Sequence, residues 1–239
     1  MTKIDQKQEN EVMTLPEVAE YLQLAEKTVL RMVQRGEIPA AKIASQWRFM
    51  RPVIRDWLAG RMQTMPSAEL ESLINKEKNL LPLTEVIRPD LITLNIAPGP
   101  KEYILRQLVT PLRKTRFAKD PALLLQNLID RERIMTTAVG HGIALPHPRR
   151  PIERMFKEPA VVLGLCPQGT NFEAVDDKLV HLFFLICATR EEIHLQLMAK
   201  VSWLTRNENI RSELQQVSSQ RQAVDIIAKA VKILDVHSG

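Results

Sequence analysis

One histidine stands in a sequence context that suits phosphoryl chemistry. His147 lies between Pro146 and Pro148 in the run VGHGIALPHPRR, and Arg149 and Arg150 follow directly. The prolines stiffen the backbone on both sides of the imidazole, and guanidinium groups favour a phosphoryl group nearby. A neutral imidazole nitrogen is nucleophilic near pH 7, so a histidine here could accept a phosphoryl group and pass it on. An ordinary proline-rich surface loop is the alternative interpretation of the same residues.

A second chemical feature is a concentration of positive charge in the first quarter of the chain. The 239 residues carry a net charge of only +5, yet eight basic and two acidic residues fall between Lys27 and Arg61, which leaves that segment with a net charge of +6. Such a local excess is typical of a surface that binds a phosphate backbone, and a solvated basic face is the alternative.

The elements that carry this charge are predicted to be short helices and a hairpin. Thr14, followed three residues later by Glu17, forms a capping box that begins the first helix. The second helix is predicted over 28–34 and is stopped by Gly36. The runs IPAAKI and WRFM predict a hairpin, with residues 44–46 between its strands, and RPVIRDWLAG predicts a third helix. The order is therefore helix, turn, helix, wing and helix.

The remaining chain is predicted to hold a linker and a larger domain. We place a DNA-binding domain at 1–62, a linker helix that could also serve as a dimer contact at 63–82, and an α/β domain at 83–239. In the last of these, predicted helices alternate with two strands, AVVLGLCP and KLVHLFFLICA. Because both strands are continuous apolar runs, we expect helices to cover both faces of their sheet.

The run DRERIMTTAVGHGIALPHP, the two apolar strands and HLQLMAKVSWL together resemble a known family. It is the enzyme IIA domain of the fructose, mannitol and nitrogen-related branch of the bacterial sugar phosphotransferase system. The resemblance covers roughly 81–232 and implies a mixed sheet flanked by helices. It implies that His147 accepts a phosphoryl group from the phosphocarrier protein HPr or a paralogue, and that a permease IIB component could receive it. It also implies that His194 faces His147 and that Arg131 lies near the phosphoryl group.

Pro148 departs from the pattern of this family, which usually has a small residue after the active histidine. Proline lacks a backbone N–H that could help to bind the phosphoryl group, so a domain that only senses remains an alternative to one that transfers. We expect no metal at His147 and His194, because no cysteine or carboxylate cluster stands at ligand spacing beside them. No phosphate-binding G-x-x-x-x-G-K loop is present, and no cofactor is expected.

The N-terminal segment over 13–59 resembles the small excisionase-like, winged helix-turn-helix domains related to the MerR type. The residues that carry the resemblance are TLPEVAEYLQLAEKTVLRMVQRGEIPAAKI, then WRF and IRDWL. The resemblance implies that duplex DNA is the partner and that the second helix begins in the major groove. The candidate DNA contacts are Lys27, Thr28, Arg31, Arg35 and Arg48.

The cysteines indicate the compartment. Cys166 and Cys187 each lie in an apolar run, which predicts buried, reduced thiols and a cytoplasmic protein. The first residues contain no apolar signal segment, and the longest apolar run is too short to span a bilayer. Our leading hypothesis is a bacterial DNA-binding regulator coupled to phosphoryl acceptance. The alternatives are a regulator that has lost transfer and a transport phosphocarrier whose N-terminal module docks a protein.

Overall fold

The computed structural model describes residues 11–22, 24–62, 64–66, 82–152 and 154–237. The chain divides into two compact units, Met1–Arg61 and Met62–Gly239. The predicted linker helix at 63–82 lies almost entirely outside the described residues. Within the described part of the chain, no helix has the length and apolar character needed to cross a membrane.

The first unit packs helices against a small antiparallel sheet. Its elements are β1 (Val12–Met13), α1 (Leu15–Leu22), α2 (Glu26–Gln34), β2 (Ala41–Ile43), β3 (Gln46–Met50) and α3 (Arg51–Met62). The strand order is β1-β3-β2, and both pairs are antiparallel. The core is formed by fully buried side chains contributed by five of these elements: Met13, Val18, Val29, Phe49 and Ile54.

The capping and turn residues of this unit mostly form the predicted local structures. The capping box forms, because the backbone N–H and the hydroxyl of Thr14 both donate to Glu17 Oε2, at 2.7 and 2.8 Å. Helix α2 begins at Glu26, two residues before the predicted start. The hairpin turn is shorter than predicted: Ala44 and Ser45 alone form it, with φ of 48° and 66°, and Gln46 already pairs with Ile43. Positive φ at both central residues defines a type I′ turn.

The second unit is an α/β domain, as predicted. Its elements are α4 (Leu83–Val86), a 3-10 turn (Pro89–Leu91), β4 (Ile92–Thr93), α5 (Lys101–Lys114), α6 (Pro121–Ile134), β5 (Ala138–Gly140), β6 (Ile143–Ala144), β7 (Ala160–Thr170), β8 (Val180–Cys187), α7 (Glu191–Arg206), α8 (Glu208–Gln215) and α9 (Gln220–His237). The strands form one sheet in the order β4-β7-β8-β6-β5.

This sheet is mixed, which confirms the predicted fold class. β4 runs parallel to β7 and β6 runs parallel to β8, whereas β7 with β8 and β5 with β6 are antiparallel. The two predicted strands, β7 and β8, form its centre and are almost entirely buried. Most residues of helix α7 are buried, so the polar side chains among them are held in a fixed environment.

Candidate active site

His147 follows the short strand β6, which lies between β8 and β5, and the sheet fixes the backbone that leads to it. The N–H of Leu145 donates to Thr137 O at 2.9 Å, and the N–H of Ile186 in β8 donates to Pro146 O at 2.9 Å. The side chain of His147 is only 2% exposed. The alternative of an ordinary surface loop is therefore wrong for this side chain.

The hydrogen bond of the His147 ring determines its tautomer. Nδ1 lies 2.7 Å from the carbonyl oxygen of Leu145. A carbonyl oxygen can only accept, so Nδ1 carries the hydrogen and donates it. In the neutral ring the nucleophilic lone pair is then on Nε2.

His194 comes from the first turn of α7 and meets His147 across the site. The two ring centroids lie 4.9 Å apart with an interplanar angle of 64°, an edge-on arrangement. His194 is also 2% exposed. Arg190, the residue before α7, gives the helix no side-chain cap. The first backbone N–H groups of a helix have no partners within it, so this end attracts negative charge.

Arg131 lies in the last turn of α6 and is 3% exposed. Its Nη1 donates to the carbonyl oxygen of Met135 at 2.6 Å. This bond holds the guanidinium against the segment that leads into β5. Its role toward a phosphoryl group stays a prediction.

Sequence reasoning missed a buried carboxylate beside Arg131. Glu132 is 4% exposed and accepts hydrogen bonds from the N–H of Thr137 at 3.0 Å and from the Thr137 hydroxyl at 2.6 Å. Lys101 Nζ lies 3.3 Å from the same carboxylate. The spacing of the sequence could have revealed this burial, because Glu132 continues the four-residue spacing of the buried Leu124 and Leu128 on α6.

Other titratable groups lie outside this pair of rings. His141 is exposed on a turn between Gly140 and Gly142, and its backbone N–H donates to Asp176 Oδ2 at 2.9 Å, which lowers the pKa of that carboxyl. Cys166 and Cys187 are buried and free, and burial raises the pKa of both thiols. Among the described residues, no group of three or more His, Cys, Asp or Glu side chains could hold a metal ion.

The predicted DNA contacts occupy two elements of the first unit. Lys27 and Arg31 are exposed on α2, and their spacing of four places them on one face. Thr28 is half-buried in the first turn of α2. Arg35 is exposed just after the helix, where Nη1 lies 3.7 Å from Glu37 Oε1.

The remaining candidate DNA contact lies on the wing, which is the hairpin of β2 and β3. Arg48 on β3 is half-buried and donates to Trp47 O at 3.0 Å and to Gln46 Oε1 at 2.5 Å. Arg55 and Asp56 on α3 are both buried, so neither adds to the surface charge. Because Arg55 and Asp56 carry opposite charges, the net charge of the segment 27–61 stays at +6 when both are left out.

Each of the two units matches a known protein family or domain. Residues 85–230 match the family described as "Phosphoenolpyruvate-dependent sugar phosphotransferase system, EIIA 2". Residues 12–62 match a helix-turn-helix domain. Since the first match spans more than half of the chain, the protein belongs to the enzyme IIA type 2 family of the phosphotransferase system, with a helix-turn-helix domain at its N-terminal side.

Individual relatives align with the second unit. The chain is 31% identical over 147 residues to the PTS system fructose-specific EIIABC component of Bacillus subtilis (strain 168), covering 61% of this chain but only 23% of that protein. It is 30% identical over 145 residues to the fructose-specific EIIA component of Haloferax volcanii, covering 60% of this chain and 92% of that protein. The crystal structure of nitrogen regulatory protein IIA-Ntr from Neisseria meningitidis superposes with a TM-score of 0.53 at 25% identity, covering 61% and 98%.

Proposed function

We propose that this protein accepts a phosphoryl group from phospho-HPr or a paralogue on Nε2 of His147, and that it binds duplex DNA as a transcription regulator. The observation that carries the proposal is the buried pair of imidazoles, with centroids 4.9 Å apart, at the N-terminal end of α7. The phosphoryl group then passes to a permease IIB component or changes the DNA-binding form.

The transfer is an in-line displacement at phosphorus. The lone pair on Nε2 of His147 forms the new N–P bond, while the bond between phosphorus and the donor atom of HPr breaks and its electrons stay with HPr. The hydrogen on Nδ1 is not released, because it remains donated to Leu145 O. The ring gains positive character as the N–P bond forms, and the carbonyl dipole stabilises it.

Three groups support the transferred phosphoryl group in this proposal. The N-terminal end of α7 offers backbone N–H groups and a partial positive charge. His194 is placed by the first turn of that helix, against the accepting ring. Arg131 neutralises charge on the phosphoryl oxygens. These groups compensate for Pro148, which has no N–H to donate.

The first test is labelling by phosphoenolpyruvate, enzyme I and HPr. The wild-type chain should gain one acid-labile phosphoryl group, and His147→Ala should gain none. His141→Ala is the matched control, because His141 is an exposed histidine on a nearby turn, and it should be labelled like the wild type. A labelled His147→Ala protein would refute the assignment.

The DNA-binding part of the proposal rests on the exposed Lys27 and Arg31 of α2 and on the basic excess of the segment. Binding to duplex DNA should weaken as salt rises, with a slope of about 0.9 in log affinity per phosphate contacted. Arg31→Ala should weaken binding and flatten the slope by about 1. Arg106→Ala is the control, since it removes an exposed arginine from the second unit. A chain that shifts no DNA at about 50 mM salt would favour the protein-docking alternative.

A further inference from the structure

We propose that Glu132 is a positioning residue for His147, which fixes the tautomer of the accepting imidazole through Thr137 and Leu145. The inference rests on the proposed function of His147 and identifies the buried group that prepares it for attack. No contact between Glu132 and the phosphoryl group is required.

The first step is the environment of the Glu132 carboxylate. A buried carboxylate is unfavourable unless several donors surround it. Here one oxygen accepts from the N–H of Thr137 at 3.0 Å and the other from the Thr137 hydroxyl at 2.6 Å. Lys101 Nζ lies 3.3 Å from the first oxygen. Glu132 therefore holds Thr137 by both its backbone and its side chain.

The second step leads from Thr137 to the imidazole. The carbonyl of Thr137 accepts the N–H of Leu145 at 2.9 Å, and the carbonyl of Leu145 accepts the Nδ1–H of His147 at 2.7 Å. Movement of Thr137 would thus move the carbonyl that selects the tautomer. Without that carbonyl the neutral ring can carry its hydrogen on Nε2, where it blocks attack on phosphorus.

The third step concerns the helix from which these contacts come. Arg131 and Glu132 are consecutive on α6, and both hold the segment that follows the helix: Arg131 bonds the carbonyl of Met135, and Glu132 bonds Thr137. Two adjacent residues therefore anchor the chain just before β5. Arg131 and Glu132 thus share a structural role, in addition to any contact that Arg131 makes with the phosphoryl group.

The test is Glu132→Gln in the full chain, which keeps the shape of the side chain but removes the charge. The first measurement is the ¹⁵N chemical shifts of the His147 ring without any phosphoryl donor. The wild type should show hydrogen on Nδ1, and Glu132→Gln should show a mixture of tautomers. The second measurement is the rate of labelling by phospho-HPr, which should fall by about tenfold, by analogy with the loss of hydrogen-bonding partners behind metal-binding histidines.

Two further variants make the outcome decisive. Glu173→Gln removes the negative charge of the exposed carboxylate that lies 2.8 Å from Lys101 Nζ, and it should leave both measurements unchanged. Thr137→Val removes only the hydroxyl donor and should shift both in the same direction as Glu132→Gln. If Glu132→Gln does not fold, Thr137→Val decides by the same measurements.

The inference is overturned if a folded Glu132→Gln protein keeps the wild-type ¹⁵N shifts, or keeps the wild-type labelling rate. Failure of the proposed function looks different. In that case the wild type is not labelled at all, while the ¹⁵N shifts still report whether Glu132 controls the tautomer.

Discussion

His147 and His194 are both buried, but the structure holds them in different ways. The ring of His147 is fixed through Nδ1 by the carbonyl of Leu145, which leaves Nε2 as the nucleophilic atom. His194 is fixed by its place in the first turn of α7, edge-on to His147. This difference supports one acceptor and one supporting histidine rather than two equivalent acceptors.

We therefore expect His194→Ala to be labelled once by phospho-HPr, on His147, but about tenfold more slowly. This loss is smaller than the roughly 100-fold or more that a positioned general acid or base contributes, because His194 supports the phosphoryl group without accepting it. The loss follows from removing the polar ring that faces the accepting one. Rapid quenching followed by mass spectrometry measures the rate. Labelling of His194→Ala at the rate of His141→Ala would mean that the second histidine only fills space.

The two thiols provide a separate prediction at this scale. Burial raises the pKa of Cys166 and Cys187, and a raised pKa lowers the fraction of reactive thiolate at any given pH, by about tenfold per unit. Native protein should therefore resist iodoacetamide near pH 8, whereas denatured protein should be alkylated at both cysteines. Rapid alkylation of either thiol in the native protein would contradict the burial.

At the scale of elements, the length and position of each strand explain what could be predicted. β7 and β8 were predictable because they are continuous apolar runs that carry their own signal. β1, β4 and β6 are only two residues long, and pairing with distant strands defines them. No local pattern contains that information. β5 has three residues and pairs only with β6, the next strand along the chain. Because His147 follows β6, the sequence alone did not reveal that its backbone is anchored to a sheet.

The residues of the candidate site also differ in how far the sequence alone predicts them. The neighbours of His147 singled it out but left an ordinary surface loop open, and the family resemblance supplied its predicted role, as it did for His194 and Arg131. Glu132 was missed although Leu124 and Leu128 mark its face of α6, because glutamate is seldom fully buried in proteins. Its partner Thr137 lies beyond the helix, and only the folded chain brings the two together.

The wing turn supports a prediction about stability. Ala44 has a φ of 48°, a left-handed conformation that costs an L-residue roughly 1–2 kcal/mol and costs glycine little. Ala44→Gly should stabilise the hairpin by about 0.5 kcal/mol after the added chain entropy of glycine. Amide hydrogen exchange across β2 and β3 measures the effect.

Ala41→Gly is the control for this substitution. Ala41 pairs with Arg48 in the extended strand β2, so glycine there should destabilise the hairpin by about 0.5–1 kcal/mol. Equal effects of the two substitutions on hydrogen exchange would contradict the type I′ turn.

At the scale of the whole molecule, an enzyme IIA domain and a helix-turn-helix domain share one chain. A phosphoryl group adds about 1.5–2 negative charges, which would repel DNA phosphates or attract basic residues such as Arg61. Coupling requires that this charge bias an element with two states. The candidate is the predicted linker helix over 63–82, which lies largely outside the described residues.

We predict that phosphorylation of His147 changes the affinity for DNA. Titration of one DNA site at fixed salt with phosphorylated and unphosphorylated protein measures the coupling, and His147→Ala treated with the same donors is the control. Affinities that agree within about twofold, equivalent to about 0.4 kcal/mol, would show that the two domains do not communicate through DNA binding.

The most direct single measurement follows label from phosphoenolpyruvate through enzyme I and HPr to the wild-type chain. Mass spectrometry and NMR determine the position and isomer of the phosphohistidine. Burial of His147, and the Nδ1–H that it donates to Leu145, predict one equivalent of acid-labile phosphate on Nε2 of that residue. Omission of HPr should abolish labelling. No label on the chain, while the same phospho-HPr labels another enzyme IIA protein, or label on any other residue, would contradict the assignment.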